Sequence, residues 1–229
     1  MKIEGLLSNG WKRNVRPSLA RRLLAGCLRR QVLGLFAVVL SMSCGGVPKT
    51  YYYTLQMPAP PARNDPKTTF VLGVEHFRAV EMLRDDRIVY YESPTEVNFY
   101  QYHRWGSDPA SMLSELAAAW IQSAGAFADV RMLPTREPVD YILRGRLHNF
   151  EEVDYPEGGK GRVSLELTLL RLRDHKVVWS AEPLAETPVQ EKGVAAVVRA
   201  LNDSSQQLLR DALPGLIAQV EQDYKGHTP

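Results

Sequence analysis

The sequence predicts an α+β fold: a single domain with a mainly antiparallel sheet and two main helices packed on one face. Three observations predict it. Strand-like and helix-like segments run in blocks, strands, helix, strands, helix, with no strict alternation. Residues 141–181 alternate apolar and polar side chains at period two, as a sheet with one covered face requires. Two stretches, after Pro109 and after Gly193, repeat apolar residues at helical spacing. Composition agrees: of 229 residues, 45% are hydrophobic and 24% charged, which excludes a disordered chain, a collagen and a multi-span membrane protein.

Each element follows from its residues. Tyr51-Tyr52-Tyr53-Thr54-Leu55 is aromatic and β-branched enough for a strand, and the proline-rich stretch from Met57 to Pro66 reads as a surface loop. Phe70 to Val74 is an apolar run suited to a buried strand. Arg87 to Tyr91 and Glu96 to His103 form a hairpin that turns near Ser93-Pro94. Ser107 or Asp108 caps a helix with Pro109 in its first turn. Met112, Leu113, Leu116, Ala117, Trp120 and Ile121 give that helix one apolar face, and Gly125 ends it. Tyr141, Leu143 and Leu147 share one side of the next strand, opposite Arg144, Arg146 and His148. Val163, Leu165, Leu167 and Leu169 share one side of the strand after it, and Arg173-Asp174-His175 returns the chain into 176–181. A final helix starts near Gly193 and turns Val194, Val197, Val198, Leu201, Leu208 and Leu209 inward. Pro214-Gly215 is expected to bend or interrupt it.

The first 43 residues read differently. They hold eight Lys and Arg but a single acid, Glu4, so removing them takes 28 bases and 26 acids down to 20 and 25. The remaining chain is acidic, and nucleic-acid binding loses its electrostatic motive. Arg21, Arg22, Arg29 and Arg30 precede the apolar run Val32 to Leu40, then Ser41-Met42-Ser43-Cys44, the layout of an export signal. That run would rise about 13 Å as a helix, whereas a bilayer core takes roughly 20 residues to cross.

A cysteine after an apolar segment, with a small residue before it, resembles a bacterial lipobox, in which the thiol receives diacylglycerol before cleavage. Cys44 fits by context, although Ser41 stands where Leu is preferred. Leu24-Ala25-Gly26-Cys27 spells the box better but has Arg21 and Arg22, and no apolar segment, before it. Acylation also accounts for a lone thiol in an oxidising compartment once Cys27 leaves with the leader. Each buried methylene contributes about 0.8 kcal/mol, so several acyl chains hold permanently. The domain plan is therefore a signal peptide over 1–43 and one domain over 44–229, with 44–50 a short lipidated tether. Gly45 after the cysteine, in place of Asp, favours the outer membrane over the inner one. A plain signal peptide and a twin-arginine route stay open.

Chemistry is sparse. His76, His103, His148, His175 and His227 are scattered, none with a second ligand at helical spacing, so no metal is expected. No G-x-S-x-G elbow is present. Glu151, Glu152 and Asp154 read as a solvated loop before a turn over Pro156 to Gly161, and Gly158-Gly159-Lys160-Gly161 as a hairpin turn, without the spacing of a phosphate loop. No catalytic residue and no cofactor is expected beyond covalent lipid on Cys44. Arg104-Trp105, with Tyr90, Tyr91, Tyr100 and Tyr102 nearby, has the composition of a protein interface. The competing reading makes Trp105 a staple between helix and sheet. Trp179 reads as core.

Cys44, the nearby Tyr52-Tyr53-Thr54-Leu55, Arg87-Ile88-Val89-Tyr90-Tyr91, Arg104-Trp105 before a Pro-started helix, and Phe150 ending a strand resemble, in that order, the ABC-type transport auxiliary lipoproteins. This is the group containing the paraquat-inducible protein C. The resemblance implies a periplasm-facing lipoprotein of the outer membrane without catalytic residues. It would work with a mammalian-cell-entry (MCE) type substrate-binding protein, an ABC permease and an ATPase, in lipid or hydrophobic-solute traffic. Arg104, Trp105, Tyr100 and Tyr102 are the expected docking residues, and a homo-oligomer stays open. Two other readings remain: an outer-membrane lipoprotein activating a cell-wall synthase or envelope assembly machine, and an anchored hydrolase with a scattered triad.

Overall fold

In chain order the strands are β1 (Tyr51–Tyr53), β2 (Val71–Val74), β3 (Arg78–Ala79), β4 (Arg87–Ser93), β5 (Glu96–Trp105), β6 (Asp129–Met132), β7 (Tyr141–Tyr155), β8 (Gly158–Arg171), β9 (Lys176–Ala181) and β10 (Leu184–Pro188). Helix α1 (Pro109–Ala124) follows β5, and α2 (Val194–Lys225) follows β10. The computed structural model describes residues 48–58, 67–155 and 158–226. All of these elements lie in the compact unit that runs from Lys49 onward. The leader, Cys44, most of the proline-rich loop, Pro156 and His227 lie outside the described residues.

The sheet is organised around two long strands. β7 and β8 pair antiparallel along their length, from Tyr155↔Gly158 to Tyr141↔Arg171. β8 also takes β9 at one end and β10 at the other, both antiparallel. β7 also seats three short strands in succession, all parallel to it: β2 at Tyr141–Leu143, β3 at Arg146–Leu147 and β4 at Glu151–Val153. β4 continues antiparallel into β5, β5 takes β1 in parallel, and β2 takes β6 in parallel. The long ladders are thus antiparallel, as expected, while the parallel joins add a feature that alternation does not encode. A period of two says which face a side chain occupies, not which strand lies beside it.

Both helices cover one face, and they touch each other. Alternation along β7 and β8 produces this: Tyr141, Leu143, Leu147, Val163, Leu165, Leu167 and Leu169 are buried, whereas Arg144, Arg146 and His148 are exposed. Leu113, Ala117 and Ile121 of α1 and Leu201, Leu209 and Leu213 of α2 meet that face with no exposed surface. α1 begins where Asp108 accepts the Ser111 N–H at 2.9 Å, and ends at Gly125 with φ 64°. Both are the boundaries its sequence predicts.

Two positions fix α2 against the sheet. A Cβ at Gly161 would stand 2.7 Å from the Leu201 nitrogen and 2.8 Å from the Ala200 carbonyl carbon, so a hydrogen alone lets the helix backbone lie on β8 there. Near its C-terminal end, Asp223 accepts the Tyr141 hydroxyl at 2.7 Å and the Arg171 guanidinium at 2.5 Å. Of the two outcomes expected at Pro214-Gly215, a bend or an interruption, the interruption does not occur. α2 runs unbroken for 32 residues. Leu213, Leu216 and Val220 around the proline are fully buried, and tertiary packing of this kind outweighs a lost backbone hydrogen bond.

Candidate docking surface

The expected docking residues sit on β5, between the edge strand β1 and the hairpin partner β4. Trp105 is not at the surface. It is 1% exposed, its ring lies 5.1 Å from that of Phe150, and it belongs to the main core. The interface reading of Trp105 is therefore corrected to the staple reading, because a side chain enclosed by the sheet and its helices has no area left for a partner. Its indole Nε1 is, among the described residues, the sole buried side-chain nitrogen or oxygen without a hydrogen-bond partner.

Tyr100 is half-buried. Its hydroxyl donates to Glu152 Oε2 at 2.5 Å, and its ring lies 4.7 Å from Tyr90. Burial, and then the hydrogen bond to Glu152, push the Tyr100 hydroxyl well above the usual phenol range. Tyr100 therefore supports the hairpin from below and keeps its proton. Tyr102 is 36% exposed and, with Val97, presents apolar surface. Arg104 pairs with Asp86 at 2.6 Å, and Arg87, its cross-strand neighbour, pairs with Asp85 at 2.7 Å while lying 3.9 Å over the Phe99 ring. Two arginines that face each other across the strands would repel, and each has its own aspartate. Of the four residues, Tyr102 and Arg104 keep exposed side-chain surface, whereas Tyr100 is half-buried on Glu152 and Trp105 is enclosed in the core.

The acidic cluster is a second correction. Glu151 and Glu152 lie within β7, 1% and 7% exposed, and not in a solvated loop. Successive strand residues point to opposite faces, so the two carboxylates do not form a catalytic pair. Glu151 accepts from the Arg162 guanidinium at 2.8 Å, the Asn149 amide at 2.8 Å and the Phe150 N–H at 2.9 Å. Glu152 faces Tyr100, and burial raises its carboxyl above the usual range. The signal that could have found the first pair is the antiparallel register itself, which from Tyr155↔Gly158 onward sets Glu151 opposite Arg162. Beside Tyr100 a cavity of about 430 Å³ is lined by Glu152, Asp154 and Glu191 as well as Val189 and Val197. Three carboxylates in its wall do not suit an acyl chain.

Among the described residues the histidines do not converge. His76, His148 and His175 are exposed, His148 reaches Glu166 at 3.4 Å, and His103 meets the Tyr53 hydroxyl at 2.8 Å. Among the described residues no group of three His, Cys, Asp or Glu is placed to hold a metal, and no helix is long and apolar enough to cross a membrane. Trp179 is partly buried, with its Nε1 against Gly215 of α2.

Fold and surface together define a small α+β domain whose distinctive surface is an aromatic sheet edge. A crystal structure of a Xanthomonas campestris protein of the DUF330 family is 21% identical, with a TM-score of 0.68 over 76% of this chain and 99% of that one. A second, of an uncharacterized protein, is 17% identical, with a TM-score of 0.58 over 74% of this chain and 99% of that one. These likenesses show the fold. No curated protein is significantly similar in sequence. A model of the ABC-type transport auxiliary lipoprotein component matches residues 53–212, and the chain belongs to that family. It is thus a member of a lipoprotein family that serves ABC-type transport.

Proposed function

We propose that the protein is a lipid-anchored, non-catalytic component of an MCE-type ABC system moving lipids or hydrophobic solutes across the envelope. The family match over residues 53–212 carries this reading. Cys44 receives the lipid, and Gly45 after it directs the protein to the outer membrane, where the domain faces the periplasm. Tyr102 and Arg104 dock the MCE-type substrate-binding protein, whose permease and ATPase complete the system. Confinement to a thin layer raises the effective concentration of both partners, so a small interface suffices.

The test is affinity purification of the full-length lipoprotein from membranes in mild detergent. An MCE-type protein should follow it, and should be lost from a Tyr102→Ala/Arg104→Ala variant with unchanged thermal unfolding. Recovery of a cell-wall synthase instead would favour the second reading. Cys44→Ser should release the chain from the membrane fraction.

A further inference from the structure

The edge beyond β5 is occupied by β1, three residues long and, among the described residues, paired on one side alone, parallel to β5 at Tyr51↔His103, Tyr52↔Arg104 and Tyr53↔Trp105. Its side chains are unusual for an exposed edge. Tyr52 is 66% and Tyr51 46% exposed, among the most exposed large apolar side chains described. Neighbouring strand residues project to opposite sides, so the two rings bracket the strand. Tyr51 stacks on His103 at 5.2 Å, and the Lys49 ammonium lies 5.0 Å from its ring centre. An edge carrying aromatics and free backbone groups invites association unless something covers it.

Chain length selects the cover. Six residues, 45–50, lie between Cys44 and Tyr51, and a fully extended chain spans at most about 3.5 Å per residue step, so the seven steps place the start of β1 no farther than about 25 Å from the Cys44 Cα. Tyrosine rings settle at headgroup depth, where the ring is apolar and the hydroxyl stays wet, and lysine reaches phosphate from the same level. A sheet approaching edge-on brings both bracketing rings and Lys49 to one plane, and headgroups can bond the free backbone groups that an acyl core could not.

We propose that the free edge of β1, with Lys49, Tyr51 and Tyr52, rests on the phospholipid headgroup layer and fixes the orientation of the domain on its membrane. This rests on acylation of Cys44. The acyl chains supply attachment, and the tyrosines supply orientation, which points the β4–β5 hairpin in a constant direction relative to the bilayer.

The test uses the full-length lipoprotein, purified from membranes and reconstituted into phosphatidylethanolamine–phosphatidylglycerol vesicles. An environment-sensitive fluorophore is attached at Tyr52→Cys, with Tyr51→Cys as a second position and Val177→Cys on β9 as the control; Val177 is 59% exposed. The expected result is blue-shifted emission at 52 and 51, quenched about twofold or more by headgroup-linked spin label, and neither effect at 177. Water-like emission at 52 and 51, equal to that at 177, would overturn the inference. So would a signal that rises with protein density and ignores the lipid quencher, which would mean a second copy covers the edge. The Cys44→Ser chain is assayed in parallel for membrane retention after carbonate washing. Unchanged retention defeats the anchoring reading and this inference with it, whereas an anchored chain with a water-exposed β1 defeats this inference alone.

Discussion

Replacing Trp105 by Ala should unfold the domain more readily before it affects any partner. The side chain is 1% exposed against Phe150. A buried tryptophan removes about 150–250 Å² from water, roughly 4–6 kcal/mol at 25 cal/mol per Å². Tryptophan truncations in cores cost about 3–5 kcal/mol. The unpartnered Nε1 already costs the folded state about 1–3 kcal/mol, which the truncation relieves, so a net loss of about 2–3 kcal/mol is expected. In a domain of this size that is a fall of roughly 4–12 °C in Tm, read by far-UV circular dichroism of the full-length protein. Trp105→Phe keeps most of the apolar contact and removes the orphan donor, so it should fall by no more than about 4 °C. A Tm for Trp105→Ala within about 2 °C of the parent would refute the core assignment. A phenylalanine variant as unstable as the alanine one would show that Nε1 has a partner after all.

Arg162→Ala should lose about 2–3 kcal/mol in urea unfolding, because it leaves the buried Glu151 carboxylate without its counter-charge; the loss falls short of a fully enclosed pair because Arg162 is 25% exposed. Replacing both residues by leucine should recover most of that loss. For Asp223, burial alone would raise the carboxyl, but the hydrogen bonds from Tyr141 and Arg171 outweigh it and hold it below the ordinary value of 3.8. Such a group stabilises the fold above its unfolded value, and that contribution is lost as pH falls through the folded one. Tyr141→Phe should therefore cost about 1–2 kcal/mol at neutral pH and move acid unfolding to higher pH, as a pH series of thermal melts would show. Glu152 has the opposite sign: its raised carboxyl binds its proton more tightly folded than unfolded, so its contribution fades as pH climbs above the ordinary 4.5. Glu152→Gln, which can still accept the Tyr100 hydroxyl, should melt above the parent at pH 8 and match it below about pH 4.

The local rules carried far in this chain, and they failed where distant strands or paired charges decide. Asp108, Pro109 and Gly125 mark α1 because capping and left-handed backbone are properties of single residues. The faces of β7 and β8 follow from alternation. The seating of β2, β3 and β4 along β7 does not, because parallel joins need long crossovers that leave no turn signature. Glu151 and Glu152 looked solvated because carboxylates usually are. Their partners, Arg162 and Tyr100, lie 11 and 52 residues away. Tryptophan serves cores and interfaces alike, so the letters around Trp105 could not choose between them. Pro214 shows the limit of propensity: a helix held along its length by buried leucines tolerates a residue that would break it alone.

The seating of three strands on β7 also sets an order of events. A chain made N-terminus first presents β2, β3 and β4 long before residues 141–155 appear. Until then β1, β5 and β4 make one fragment and β2 with β6 another, with no strand between them. β7 is thus the keystone of the sheet, and truncation anywhere ahead of Tyr141 removes the strand that joins the two groups. Exposure of unpaired strand edges is greatest during that interval, and least once β7 and β8 have paired.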